Sequence, residues 1–145
     1  MSELQKQPRV FVVYDEDVIA STLAIILRLK GAFNARSFTA PLDALEAARL
    51  EAPDLLVSDV MMPVLSGIEL AIQMRELCPD CKVLLFSGQA STANLLESAQ
   101  KRGYHFELLL KPVFPSVLLD RVRKLTQPTE PEVLIPPANG WQSWR

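Results

Sequence analysis

PDLLVSDVMMPVLSG, residues 53–67, places a short apolar run, Leu55 to Ser58, directly before Asp59 and follows it with a loop holding Pro63 and Gly67. A run this short and this apolar predicts a buried strand rather than a helix. Beyond Gly67, Ile68, Leu70, Ile72, Met74 and Leu77 recur at helical spacing,. The unit is strand, acidic residue, loop and helix, and the rest of the chain repeats it.

Upstream, Val10 to Val13 predicts a first strand ending in Asp15-Glu16-Asp17. Val18, Ile19, Leu23, Ile26, Leu27 and Leu29 predict a helix stopped by Gly31 in a left-handed turn,. Phe33 to Phe38 reads as a second strand. Thr39 as N-cap and Pro41 in the first turn then open a helix with Leu42, Leu45 and Ala48 inward, ending near Pro53,. Downstream, Lys82 to Phe86 is a fourth strand, and Ser91 caps a helix containing Leu95, Leu96 and Ala99 before Gly103,. Phe106 to Leu110 is a fifth strand, and Pro115 to Leu125 puts Val117, Leu118, Val122 and Leu125 on one helical face,. Strict alternation of apolar strands with helices predicts a doubly wound α/β fold, a parallel sheet covered on both faces.

At 145 residues the chain fits one domain with a core that needs no disulfide or metal staple,. Fifteen basic against seventeen acidic residues give a net charge of −2. Without a run of Lys or Arg that could track phosphates, nucleic acid is not expected as a direct partner. The opening MSELQKQPR lacks the apolar core of a signal peptide and no stretch is long enough to span a bilayer, so a cytoplasmic protein without membrane contact is expected,. Cys78 and Cys81 have the spacing of a dithiol motif, but they follow a helix and precede a strand, the reverse of the redox arrangement,. A zinc site would need two further soft ligands, which the lone His105 cannot supply,. Two reduced surface thiols are the expectation.

In doubly wound sheets the ligand crevice lies beyond the carboxyl ends of the strands. Asp15 follows the first strand, Asp59 the third, Ser87 the fourth and Lys111 the fifth. Packing alone gives no reason for two carboxylates, a hydroxyl and an ammonium on one rim, so they predict a shared site. Two close carboxylates repel, and a divalent cation with oxygen ligands, Mg2+ above all, relieves that repulsion together with the lysine. A carboxylate so held can attack phosphorus while the cation, the ammonium and the hydroxyl neutralise the phosphoryl oxygens.

VFVVYDED, PDLLVSDVMMPVLSG, LLFSG and LLLKPVFP, taken in that order over residues 9 to 125, resemble the four signature blocks of the receiver domains of response regulators in two-component signal transduction. The resemblance implies the CheY-like, flavodoxin-like (βα)5 fold with a five-stranded sheet in the order 2-1-3-4-5. It implies a receiver at residues 8–126 that takes a phosphoryl group on Asp59 from a sensor histidine kinase or phosphotransfer protein. The phosphoaspartate then signals to an unknown downstream protein. Asp15, Asp59 and the backbone carbonyl of Met61 become the Mg2+ ligands by the same likeness. Ser87 and Lys111 become the groups that meet the phosphoryl oxygens, and Pro112 the residue after a cis peptide bond, which a proline tolerates. Such a domain is a signalling module rather than an enzyme, with slow self-dephosphorylation at most, and is expected as a monomer or weak dimer.

Three positions depart from the family pattern. Tyr14 replaces the first of two acids after the first strand; a phenol stays neutral near pH 7, so weaker Mg2+ binding is expected, with Glu16 or Asp17 as partial substitutes,. Leu108 stands where an aromatic switch residue is usual, and Tyr104, His105 or Phe106 could fill that role through a shifted register,. Met61 and Gln89 hold the two variable positions that influence how water reaches the phosphoaspartate; Met cannot orient water, so slow hydrolysis is expected, and Met61→Asn or Met61→Glu should change the lifetime.

Residues 127–145, TQPTEPEVLIPPANGWQSWR from Thr126 on, hold four prolines and no helical period. They read as a Pro-rich tail with no output domain, disordered or laid on the receiver, with Trp141 and Trp144 as a candidate anchor for a partner. The expected function is therefore a stand-alone receiver. Tyr14 and Leu108 keep open a phosphorylation-independent protein-binding module. A small phosphatase or nucleotide-binding α/β enzyme would need a Gly-rich phosphate loop, which the chain lacks,.

Overall fold

A strand covered on both faces must be apolar at every position, and Val10 to Val13 and Leu55 to Val57 meet that condition with complete burial,. The computed structural model describes residues 7–88 and 92–127. These form β1 (Arg9–Val13), α1 (Asp17–Gly31), β2 (Asn34–Phe38), α2 (Pro41–Leu50), β3 (Leu55–Asp59), α3 (Gly67–Leu77), β4 (Lys82–Ser87), α4 (Thr92–Lys101), β5 (Glu107–Leu110) and α5 (Pro115–Thr126). All five strands are parallel, in the order β2-β1-β3-β4-β5. The doubly wound fold and the strand order are those expected.

Alternation along the strands splits the core into two layers. Phe11, Val13, Leu56, Val83 and Leu85 pack with the apolar residues of α2, α3 and α4 on one side. Val10, Val12, Leu55, Val57, Leu84 and Phe86 pack with Ala20, Ala24, Leu27, Leu118 and Val122 of α1 and α5 on the other. Each fully buried Val, Leu or Phe contributes about 1.5–3 kcal/mol. The central strands therefore hold the fold together, and the edge strands β2 and β5 can carry polar or half-exposed residues.

Leu27, Leu45, Ala48, Ile68, Leu70, Ile72, Met74, Leu118 and Val122 are buried as expected, while other members of the expected stripes are not. In α1 the buried residues are Ala20, Ala24 and Leu27, while Val18 and Leu29 are 77% and 80% exposed. Alanines one turn apart let the helix approach the sheet closely, so the larger apolar residues are turned outward. The same rotation leaves Leu42 of α2, Leu77 of α3 and Val117 of α5 exposed, with Ala44 and Leu119 buried in compensation. The left-handed residue closing α1 is Ala32 (φ 58°), not Gly31. Gly31 is required for another reason, since a Cβ there would lie 2.5 Å from the Phe33 ring. Ala40, not Thr39, is the N-cap of α2, with Pro41 in its first turn. Gly103 has φ 91° just beyond α4; Ser91 lies outside the described residues.

Cys78 and Cys81 are buried rather than at the surface, and neither is in a disulfide. The Cys78-Pro79-Asp80-Cys81 turn, closed by the Cys81 N–H donating to the Cys78 carbonyl at 3.0 Å, tucks both under the sheet. Burial pushes the Cys81 thiol up to about 12 from its ordinary 9.0, with the neighbouring Cys78 adding to the effect. A thiol raised in the folded state favours folding fully below pH 9, and that contribution, on the order of a few kcal/mol, is lost as the pH rises toward 12,. Cys81→Ala should accordingly flatten the alkaline fall of the urea midpoint. A variant whose midpoint drops as steeply as the wild type's between pH 9 and 12 would remove this account.

Candidate functional site

Parallel strands deliver their carboxyl ends to a single rim, and the polar residues of this chain gather there. Asp59 closes β3, Ser87 closes β4, Lys111 directly follows β5, and Asp15 stands two residues beyond β1. Asp59 is 5% exposed and Ser87 1%, whereas Asp15 and Glu16 are exposed on the outer side of the rim. The Lys111 Nζ lies 2.9 Å from Asp59 Oδ1, an ion pair that compensates the burial of the carboxylate,.

The backbone under Asp59 is fixed on several sides. The Val60 N–H donates to the Phe86 carbonyl (3.0 Å), the Gly67 N–H to the Val60 carbonyl (2.8 Å), and the Ser58 hydroxyl to the Asp59 carbonyl (2.9 Å). Ser66 caps α3, its Oγ accepting from the Glu69 N–H at 3.1 Å. Lys111 is held as closely. Its N–H donates to the Ser87 carbonyl at 2.9 Å, and its stem runs past Gly88, where a Cβ would sit in ordinary contact 3.4 Å from Lys111 Cδ. The Lys111–Pro112 peptide bond is cis.

Tyr14 completes the wall. Its N–H donates to the Phe38 carbonyl at 3.1 Å, its ring is 6.0 Å from that of Phe86, and it is 8% exposed. The Lys111 ammonium lies 5.3 Å from the centre of the Tyr14 ring. Burial first, and then the Asp59 carboxylate, push the Tyr14 hydroxyl up, against the opposing pull of Lys111; Glu16 adds a smaller push in the same direction. Burial pulls the Lys111 ammonium down, but its hydrogen bond to Asp59 and the nearby Tyr14 hydroxyl outweigh this and leave it raised. Near neutral pH the site therefore holds a neutral phenol and a charged ammonium.

Of the carboxylates near this rim in sequence, Asp59 is buried beside Lys111 and Asp15 and Glu16 are exposed. Mg2+ accepts one or two carboxylates and fills its octahedron with water, so this all-oxygen set fits it, with one acid fewer than the sequence pattern of the family provides. Among the described residues no three Asp, Glu, His or Cys side chains cluster as a metal site on their own.

The loop between β3 and α3 contains a turn invisible in the sequence. The Leu65 N–H donates to the Pro63 carbonyl at 2.7 Å around Val64, whose φ is 73°. This is the strained form of the γ-turn, and a β-branched residue is a poor occupant of positive φ. Val64→Gly should raise stability by about 1 kcal/mol, the relief of strain exceeding the added freedom of the unfolded chain. A lower urea midpoint for the glycine variant would show that Val64 is not strained.

Leu108 pairs with Leu85 and Leu110 with Ser87, so β5 reaches the rim unshifted and Lys111 follows at once. Tyr104 and Phe106 stack on each other (5.9 Å, 23°), with Arg75 over the Phe106 ring, ahead of the amino end of β5. Tyr104, Phe106 and Leu108 pack against the same core layer, and His105 is exposed. Gln89 and residues 128–145, with Trp141 and Trp144, lie outside the described residues.

Residues 10–123 match the family model described as Response regulator receiver domain. Transcriptional regulatory protein CreB of Escherichia coli (strain K12) is 33% identical over 116 residues, 80% of this chain and 49% of that protein. Response regulator MprA of Mycobacterium avium (strain 104) is 32% identical over 124 residues, 86% of this chain and 53% of that protein. The chain thus spans about half the length of the curated relatives it matches. Among solved structures, a CheY-like response regulator receiver domain protein from Methanospirillum hungatei JF-1 has a TM-score of 0.73 at 25% identity, covering 83% of this chain and 94% of that one. The BeF3-activated receiver domain of DrrB, a Thermotoga maritima protein, has a TM-score of 0.70 at 25% identity, covering 83% and 97%.

Proposed function

We propose, because the chain belongs to the response regulator receiver domain family, that it accepts a phosphoryl group on Asp59 and passes the signal on by protein contact. The observation that carries this reading is the Asp59 carboxylate at the carboxyl end of β3 with the Lys111 ammonium 2.9 Å away. The donor is the phosphohistidine of a sensor histidine kinase or phosphotransfer protein. A carboxylate oxygen of Asp59 attacks phosphorus, the nitrogen–phosphorus bond breaks, and the imidazole leaves with a proton. Lys111 stays beside the new phosphoryl oxygens and Ser87 offers its hydroxyl to them. Bound Mg2+ supplies positive charge against those oxygens; Asp15, Asp59 and the Met61 carbonyl would hold it, with Glu16 as the nearest replacement for the acid that Tyr14 displaces.

The downstream partner is a protein, reached through a shift of population in the segments that carry Ser87 and Lys111. Among the described residues no helix is long and apolar enough to cross a membrane, and we place the protein in the cytoplasm. CreB, which this chain matches over about half its length, is named a transcriptional regulatory protein. The exclusion of nucleic acid is therefore proposed for the residues of this chain alone.

The test is incubation with acetyl phosphate and Mg2+ followed by intact mass, on the wild type and on Asp59→Asn. Wild type alone should gain one phosphoryl group. Tyr14 in place of an acid favours one competing reading, a module that binds its partner without phosphorylation. Failure of the wild type to react, with excess metal and with beryllofluoride also without effect, would move the assignment to that module.

A further inference from the structure

We infer that Tyr14 is a positioning residue for Lys111, clamping its ammonium against Asp59 through the face of a buried ring. The inference builds on the reading of Asp59 as acceptor. The position is one that the sequence pattern of the family gives to an acid, so the loss of a carboxylate is only half of the change. What Tyr14 adds is a rigid surface. Its backbone is tied to Phe38, its ring is braced by Phe86, and the Lys111 ammonium lies 5.3 Å from its centre, inside the range of cation–π attraction,.

Lys111 is thereby restrained along its whole length. Ser87 holds its backbone N–H, Gly88 borders its stem, and Tyr14 and Asp59 hold its head from two directions. A flexible four-carbon stem would otherwise leave the ammonium free to swing into water, because the side chain is 37% exposed,. An acid at position 14 could draw the ammonium away from Asp59, since it would compete for the same cation. The neutral ring attracts without competing for the bond to Oδ1. A chain with few carboxylates for a cation thus keeps the fixed charge at its acceptor by immobilising the lysine.

The experiment uses the full chain in metal-free buffer and follows the Lys111 side chain by NMR, assigned by its loss in Lys111→Arg. In the wild type the ε-methylene protons should be shifted upfield by the ring, and the ammonium protons should exchange slowly enough to observe. Tyr14→Leu should abolish both effects. Tyr14→Phe, which keeps the ring, should keep the ring shift. With acetyl phosphate, Tyr14→Leu should lower the maximal phosphorylation rate about fivefold, roughly the weight of one cation–π contact, and leave half-saturation by the donor unchanged. An ordinary lysine shift in the wild type, or one unmoved in Tyr14→Leu, overturns the inference. Should Tyr14→Leu not fold, loss of the ring shift in Tyr14→Phe overturns it alone. A wild type that takes no phosphoryl group would defeat the acceptor reading, while the Lys111 spectra still decide the clamp.

Discussion

Gly67→Ala should lower the free energy of unfolding by about 3 kcal/mol, the upper end of what a forced overpacking costs. A Cβ at this position would lie 2.1 Å from the Asp59 carbonyl oxygen, 2.9 Å from its carbonyl carbon and 3.0 Å from Ser58 Oγ. Two of those three atoms are backbone and cannot swing aside. The Gly67 N–H is also bonded to the Val60 carbonyl at 2.8 Å, so the glycine cannot retreat without breaking that bond. Relief must come from sliding the start of α3 or from bending the end of β3, and either move displaces the acceptor. For a domain of this size the loss corresponds to a melting temperature lower by roughly 10 °C. Urea and thermal unfolding check it, and a fall of under about 3 °C would show that α3 does not approach β3 this closely.

Lys111→Met should slow phosphorylation by acetyl phosphate about a hundredfold while the far-ultraviolet spectrum stays that of the folded domain. Methionine keeps much of the stem that passes Gly88 and removes only the charge that meets Asp59 Oδ1 at 2.9 Å. One positive group held beside a buried carboxylate and aimed at the in-flight phosphoryl oxygens is worth more than a mobile cation in bulk solvent,. The time course of the intact mass measures the effect. A rate within threefold of the wild type would mean that Lys111 balances Asp59 in the resting protein and takes no part in the transfer.

Strands were the most legible part of the chain, because a sheet covered on both faces leaves no room for polar residues and writes itself as apolar runs. Their ends were less so. Asp59 and Ser87 complete β3 and β4 although they are polar, since each faces the rim while its backbone still pairs. Helix faces were misjudged where alanine does the packing: Ala20 and Ala24 carry little hydrophobic signal, yet with Leu27 they form the buried face of α1. The γ-turn at Val64 could not have been read, because valine is among the last residues to expect at positive φ,. At the site, the pairing of Lys111 with Asp59 followed from the rule that strand ends share a rim. The contact between Tyr14 and Lys111 did not, because the sequence showed only a missing acid and nothing of what the ring faces.

The arithmetic of charge at the acceptor has a kinetic side. With a phenol in the wall, the enclosed groups, one carboxylate and one ammonium, sum to zero before any cation arrives, and Asp15 and Glu16 stand out in solvent where salt screens them,. A donor bearing a doubly negative phosphoryl group thus meets its repulsion outside the pocket, from Asp15 and Glu16, and the encounter should slow as ionic strength falls and that screening is lost.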